Sequence, residues 1–100
     1  MSERIFPVRN PSVVAREIEN ECILYAPEAK MVYVVNATAR DVWNLCDGKH
    51  DLEKIVSKVY EEYDVEMNVL KYDVRKIISD LEKVGLLSCS REPGINGSTV

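Results

Sequence analysis

The sequence has little cysteine, histidine, glycine and proline, and each shortage excludes a class of protein. Its 100 residues include three Cys, one His, four Gly and four Pro. The cysteines (Cys22, Cys46 and Cys89) are odd in number and far apart, and together with His50 they match no metal-ligand spacing. The sequence has no glycine-rich phosphate loop and no HExxH or CxxC motif. We therefore predict buried free thiols, no metal site and no cofactor.

Catalytic residues are not predicted either. A Ser or Cys nucleophile needs a neighbouring base, and the single histidine lies in a short polar turn. The carboxylates Glu61, Glu62, Asp64 and Glu66 do not have the spacing of a calcium loop. Such a block of like charges is typical of a solvated helix end. The sequence thus predicts a protein that is not an enzyme.

Long hydrophobic runs are also absent. The longest are five residues, which is too short to span a membrane, and the N-terminal residues contain no apolar segment of signal-peptide length. We expect a cytoplasmic protein with one domain and no membrane contact. The net charge of −4 and the pI near 5.0 argue against a surface that binds nucleic acid.

The first third of the chain predicts three strands. Two prolines within residues 1–12 exclude a regular helix there, so we expect an extended arm. Residues 13–18 and 22–26 read as two strands, and Met31–Val35 reads as a third. Short polar connections favour an antiparallel meander, which leaves the first and third strands at the edges.

The third predicted strand is an unprotected edge. Met31–Val35 is five apolar residues in a row, whereas natural edge strands are usually blunted by charge or proline. The pattern indicates that another strand is meant to pair with it.

Three helices are predicted after the strands. Thr38 is the expected N-cap of the first, which ends at Gly48. Asp51 caps the second, and Asn68 caps the third, which ends at Gly85. Apolar residues recur at helical spacing in each helix. The first helix has Ala39, Val42, Trp43 and Cys46, and the second has Leu52, Ile55, Val56, Val59, Tyr60 and Tyr63. The third has Leu70, Val74, Ile77, Ile78, Leu81 and Val84.

The order of elements predicts an α+β fold. A three-stranded antiparallel sheet followed by three helices is winged-helix-like. We place one domain at residues 13–89, with Leu86 and Leu87 packed back on the core. Pro, Gly, Asn and Ser dominate residues 90–100, for which we predict a disordered tail.

Several short motifs resemble one family in both order and spacing. They span residues 7 to 87, and only Val35, where the family often has Leu, departs from the pattern. The motifs are Pro7-x-Arg9-x-Pro11, Leu24-x-x-Pro27-Glu28, Val35-Asn36-x-Thr38-Ala39, Trp43-x-Leu45-Cys46-Asp47-Gly48, Tyr72-Asp73-Val74 and Leu81-x-x-x-Gly85-Leu86-Leu87. In these the chain resembles the PqqD-like proteins, also called RiPP recognition elements, where RiPPs are ribosomally made and post-translationally modified peptides.

The resemblance implies a non-catalytic, winged-helix-like peptide chaperone. Such domains bind the leader segment of a precursor peptide as a further antiparallel strand on the third strand, in a groove against the third helix. They present it to a modifying enzyme, often a radical-SAM enzyme. The best-known member acts in pyrroloquinoline quinone biosynthesis.

Helical spacing suggests which side of the third helix forms that groove. At about 100° per residue, one flank carries Lys71, Arg75, Ile78 and Glu82, and the other carries Asp73 and Asp80. We predict the first flank as the wall, with its two cations able to pair with acidic leader residues. The predicted peptide-binding residues are Met31, Val32, Tyr33, Val34, Val35, Lys71, Val74, Arg75, Ile78 and Glu82.

Two alternative functions stay open at this point. A winged-helix DNA-binding protein would use Lys71, Arg75, Lys76 and Lys83 on phosphates, although acidic residues are interleaved with them. A structural subunit could instead dimerise through the exposed third strand. For single residues, Ile78 and Tyr33 could equally be ordinary core.

Overall fold

The computed structural model describes residues 4–19 and 21–91, which form five strands and three helices. In chain order these are β1 (Phe6–Arg9), β2 (Val14–Ile18), β3 (Glu21–Ala26), β4 (Met31–Val35), α1 (Ala37–Leu45), α2 (Leu52–Tyr60), α3 (Met67–Lys83) and β5 (Leu87–Ser90). The predicted α+β arrangement of a three-stranded antiparallel sheet and three helices is confirmed.

Strands β2, β3 and β4 form an antiparallel meander in that order. Leu24 of β3 is opposite Tyr33 of β4, and Ile23 is opposite Val34. The turn between these strands closes with a hydrogen bond from the Lys30 N–H to the Pro27 carbonyl at 3.2 Å. Lys30 there adopts a left-handed conformation, with φ at 56°. The meander leaves β4 at one edge, as the sequence predicted.

Strands β1 and β5 form a second sheet that the sequence analysis missed. Residues 6–9 of the predicted arm are extended, but they pair antiparallel with β5, and Phe6 is only 2% exposed. The other edge of β1 is bonded to the segment after α1, where the Gly48 N–H donates to the Pro7 carbonyl at 2.9 Å. Proline is tolerated at position 7 because the N–H that it lacks would point away from β5, on the side of its carbonyl, so no hydrogen bond between β1 and β5 is lost.

The second sheet corrects both predicted ends of the domain. Strand β1 lies before the predicted boundary at residue 13, yet it is bonded to β5 and buried. Ser90, which the sequence analysis assigned to a disordered tail, is the last residue of β5. From residue 92 onward the predicted tail lies outside the described residues.

Two of the three predicted N-caps are wrong. The N-cap of α1 is Asn36, whose side-chain oxygen accepts the Ala39 N–H at 2.9 Å, and Thr38 lies inside the first turn. Helix α3 begins after Glu66, which makes no side-chain cap hydrogen bond, so Asn68 also lies inside its helix. Asp51 caps α2 as predicted, accepting the Lys54 N–H at 2.8 Å.

The helix ends are closer to prediction. Helix α3 has its C-cap at Val84, and Gly85 follows with φ at 81°, the left-handed conformation that glycine adopts without strain. Helix α1 has its C-cap at Cys46. Gly48 therefore lies one position later than the C′ site predicted for it, although its φ is also 81°.

The core lies between the three-stranded sheet and the helices. It combines Cys22 and Leu24 of β3 with the predicted apolar faces of all three helices. Its buried members are Cys22, Leu24, Val42, Trp43, Cys46, Ile55, Val56, Val59, Leu70, Val74, Ile78, Leu81, Leu86 and Leu87. The helical periodicity of the sequence thus identified the buried stripes, with Tyr60 and Val84 as exposed exceptions.

Candidate functional site

Strand β4 has an open edge. It is hydrogen-bonded to β3 on one side, and no strand within residues 4–19 and 21–91 pairs with its other side. Met31, Val32 and Val34 are 45%, 57% and 60% exposed. Successive backbone N–H and C=O groups of an antiparallel strand alternate between its two edges. The outer edge of β4 therefore presents unpaired donors and acceptors beside apolar side chains.

The five predicted strand residues divide between the two faces of the sheet. Tyr33 and Val35 are partly buried and pack against the core, on the face that carries the helices. Val32 and Val34 face the opposite way. In the register, Val32 is opposite Tyr25, which is opposite Val14 of β2. The outer face of the sheet thus carries a row of exposed apolar side chains that does not face α3.

Helix α3 separates two clefts. The β5-side cleft, about 410 Å³, is lined by Ile5, Leu52, Arg75, Ile78, Ser79, Glu82, Cys89, Ser90 and Arg91. The β4-side cleft, about 340 Å³, is lined by Asn36, Thr38, Asp73, Lys76, Ile77 and Asp80. Because Asn36 directly follows Val35, the second cleft lies at the end of the open strand.

This geometry places the predicted flank of α3 on the side of β5. Arg75 and Glu82 lie in the β5-side cleft, and Lys71 shares their flank by helical spacing. Val74 is 0% exposed and Ile78 is 6% exposed, so both belong to the core. The cleft that Arg75, Ile78 and Glu82 line contains no residue of β4. Peptide contact at any of the ten predicted positions stays a prediction.

The β4-side cleft contains residues that the sequence analysis assigned to the other flank. Asp73 and Asp80 line it together with half-buried Ile77. Val69 and Val84, which are 50% and 46% exposed, lie on the same side of the helix by their spacing. The sequence did contain a signal for this flank, namely the row of apolar and acidic residues that recur at helical spacing. It was missed because helical spacing defines two flanks without indicating which one lies beside β4.

The charges of the β4-side cleft do not cancel. Lys76 Nζ lies 3.3 Å from Asp80 Oδ2, one turn along the helix. Asp73 makes no hydrogen bond or ion pair among the described residues. One cation and two carboxylates therefore leave the cleft with an excess negative charge. Asp73 is the carboxylate of this cleft that has no partner in the described part of the chain.

Helix α1 is attached to its surroundings by polar contacts. The Tyr63 hydroxyl donates to Asp41 Oδ2 at 2.6 Å. This hydrogen bond, followed by partial burial, raises the pKa of Tyr63. Arg40 lies 3.6 Å from Glu17 of β2. These contacts orient the helix that carries Asn36 and Thr38 into the cleft.

The three cysteine thiols are held in their protonated form. Burial raises the pKa of each of them and takes that of Cys46 to about 12. A protonated thiol is a poor nucleophile and a poor metal ligand. In the part of the chain that the structure describes, no group of three His, Cys, Asp or Glu residues is placed to hold a metal ion.

Across the two described ranges, no helix is both long enough and apolar enough to cross a membrane.

The family described as coenzyme PQQ synthesis protein D (PqqD) matches residues 21–87 of the chain. No curated protein sequence matches the chain.

Two solved structures have a similar fold. The structure of TbiB1 in complex with the TbiA(beta) leader peptide matches with a TM-score of 0.71 and 23% identity, over 93% of this chain and 99% of that one. The structure of lasso peptide synthetase B1 complexed with the leader peptide matches with a TM-score of 0.70 and 19% identity, over 83% and 98%. At these identities the likeness establishes the fold.

Proposed function

Because the chain belongs to the family of coenzyme PQQ synthesis protein D (PqqD), we propose that it is a non-catalytic peptide-binding module. It binds the leader segment of a ribosomally made precursor peptide as an additional strand on the open edge of β4. The observation that carries this proposal is the apolar edge strand without a partner in the described chain. Two structures of similar fold, both solved with leader peptides, support it.

Backbone pairing alone is not enough for useful affinity. Three or four strand hydrogen bonds contribute about 0.5–1.5 kcal/mol each, net of water. Ordering a flexible leader costs on the order of 2–5 kcal/mol. A micromolar complex needs roughly −8 kcal/mol, so apolar side chains must supply most of the affinity, at about 1.5–3 kcal/mol for each one fully buried.

Strand β4 and the adjacent side of α3 supply apolar contacts. Met31, Tyr33 and Val35 alternate onto the helix-bearing face of β4, and Ile77 lines the β4-side cleft. Side chains of a paired leader that point toward the helices would lie against these residues. Val32 and Val34 would flank the leader on the outer face. The leader site therefore consists of the β4 edge and the flank of α3 that carries Asp73, Ile77 and Asp80.

The bound leader is presented to a modifying enzyme. The family association and the lack of an activated nucleophile among the described residues support a presenting role for this chain. A radical-SAM maturase is the partner that the family resemblance favours. The exposed apolar face of the sheet, with Val14, Tyr25 and Val32, would remain accessible beside a leader on β4.

Proline substitutions in β4 test the proposal. Neighbouring N–H groups of a strand alternate between its edges. Tyr33→Pro and Val34→Pro each remove one backbone N–H from β4. In one of the two variants the lost N–H belongs to the open edge, and in the other it belongs to the edge that pairs with β3. Each variant is checked by its amide spectrum, and the one that retains the fold is titrated. We expect its affinity for the leader encoded beside this gene to fall at least tenfold.

Chemical-shift titration of the labelled wild type locates the site. Saturable amide shifts on residues 31–36 and 73–80 are expected. Shifts confined to β5 and Arg75 would place the peptide in the other cleft. No shifts with the leader, either alone or with the modifying enzyme present, would contradict the proposal.

If the β4 edge instead serves to form a dimer, size-exclusion chromatography should detect that dimer, and addition of the leader should not dissociate it.

A further inference from the structure

We propose that the leader carries a lysine or arginine that lies in the β4-side cleft against Asp73, so that this chain selects a basic leader residue at one position. The inference rests on the proposed function and adds a charge requirement to it. The sequence alone suggested the opposite sign, because the flank with Lys71 and Arg75 would favour an acidic residue.

The position of the cleft determines which part of the leader it meets. The cleft begins at Asn36 and Thr38, directly after the last residue of β4. A strand paired antiparallel to β4 runs from the Val35 end toward the Met31 end. Residues in the N-terminal half of the bound leader strand therefore pass the cleft, and those that follow pass Tyr33 and Met31.

The chemistry of the cleft favours a long cation. Lys76 is paired with Asp80 at 3.3 Å, so the Asp73 carboxylate is the acceptor of this cleft that no side chain within residues 4–19 and 21–91 engages. Half-buried Ile77 lines the same cleft, and its aliphatic surface suits the methylene stem of lysine or arginine. An acidic leader residue in the same place would face two carboxylates with one cation already engaged.

The other elements around the cleft do not reverse this charge. Its α1 side consists of Asn36 and Thr38, which are neutral. The Asn36 side-chain oxygen is occupied by the Ala39 N–H. The whole chain carries a net charge of −4, which also attracts a basic peptide as it approaches. The positive side chains Lys71 and Arg75 lie on the opposite flank of α3.

A displayed library of random 15-residue peptides, selected on the full chain, tests the inference. Wild type, Asp73→Lys and the matched control Arg75→Glu are used as baits, with all three folds checked by amide spectra. Both substitutions reverse one exposed charge on α3, but they do so on opposite sides of the helix. Each selected peptide is also tested against the proline variant of β4 that retains the fold. For the peptides that do not bind this variant, the charge at each position is recorded.

We expect the peptides selected on wild type to be enriched in Lys and Arg at one position. In the peptides selected on Asp73→Lys, we expect Asp or Glu at that position. A selected basic peptide should bind Asp73→Lys about tenfold more weakly, the equivalent of about 1.4 kcal/mol, and Arg75→Glu within about twofold. Binders that depend on β4 but show no basic position, or that are insensitive to Asp73→Lys, would overturn the inference and leave the proposed function standing. A library without any β4-dependent binder would overturn the proposed function and the inference with it.

Discussion

Strands β4 and β5 lie on opposite sides of α3, and each pairs with a single strand among those described. Strand β4 is five apolar residues with three exposed side chains, Met31, Val32 and Val34. Strand β5 is four residues with two serines, and its first residue, Leu87, is buried in the core. Of the two strands, only β4 adds exposed apolar surface. Because backbone pairing barely offsets the ordering of a peptide, the side chains distinguish the two clefts.

The two sides also differ in charge. The β5-side cleft is lined by Arg75, Arg91 and Glu82, and the β4-side cleft by Asp73, Asp80 and Lys76. The lining of the β5-side cleft therefore has a net positive charge, to which Arg91 beyond β5 contributes, whereas the lining of the β4-side cleft has a net negative charge supplied by α3. Peptide charge then reports which cleft is used, independently of where chemical shifts appear.

The largest expected effect is a loss of stability on the β5 side of the molecule, which is not proposed to bind peptide. Phe6 anchors β1 and is 2% exposed, and replacing a buried Phe with Ala typically costs about 3–5 kcal/mol. We expect Phe6→Ala to lower the free energy of unfolding by about 3 kcal/mol in urea titrations. The folded fraction should bind the leader within about twofold of wild type. A loss of affinity beyond tenfold would mean that β1 and β5 contribute to the leader site.

A smaller effect is expected where the fold and the β4-side cleft share a residue. Asn36 caps α1 and also lines the cleft. Loss of a side-chain N-cap costs about 1 kcal/mol, so Asn36→Ala should lower the free energy of unfolding by that amount. Asn36→Asp is the matched control for stability, because Asp should retain the cap. It also adds a negative charge to the cleft. If Asn36→Ala leaves the unfolding midpoint unchanged, the cap contributes no stability.

The smallest predicted effect is a pH dependence on the β5 side. The hydrogen bond from the Lys54 N–H is the main cause that lowers the pKa of Asp51. Partial burial opposes it, and the Arg4 guanidinium, whose Nε lies 2.9 Å from Asp51 Oδ2, lowers the pKa further. A carboxyl whose pKa is lower in the folded state stabilises the fold above its unfolded pKa, about 3.9. That stabilisation is lost as the pH falls through the lower folded value.

Urea titrations of wild type and Asp51→Asn between pH 2.5 and 6 measure this contribution. Asparagine still caps a helix, so the substitution removes mainly the charge. We expect wild type to be the more stable at pH 6 and the difference to shrink toward pH 2.5. A difference that stays constant across this range would exclude the carboxylate as its source.

Local signals in the sequence predicted most of the secondary structure. The turn of Pro27 to Lys30 separates two short apolar runs, and the helices repeat apolar residues at helical spacing. The Asp51 cap was also predicted, because it precedes a regular apolar pattern. The caps at Asn36 and Glu66 were misplaced by two residues, since neighbouring polar residues can compete for the N-cap and the start of the packed face decides between them.

The pairing of β1 with β5 could not be read from the sequence. Phe6 is opposite Ser90, and each segment is short and carries little strand pattern of its own. Their pairing depends on the helices bringing the two ends of the chain together. The burial of Ile78 depends in the same way on how α3 rotates against the rest of the core.

The sequence by itself determined the meander, the three amphipathic helices and the apolar edge strand, because each follows from the local alternation of polar and apolar residues and from turn residues. Only the tertiary structure decided that β1 joins β5 and that the flank with Asp73, rather than the flank with Arg75, shares a cleft with Asn36 at the end of β4. Helical spacing divides the surface of α3 into two flanks that are equivalent in one dimension. The packing of Leu70, Val74, Ile78 and Leu81 against the sheet and the other helices fixes the rotation of the helix, and with it the charge presented to a peptide on β4.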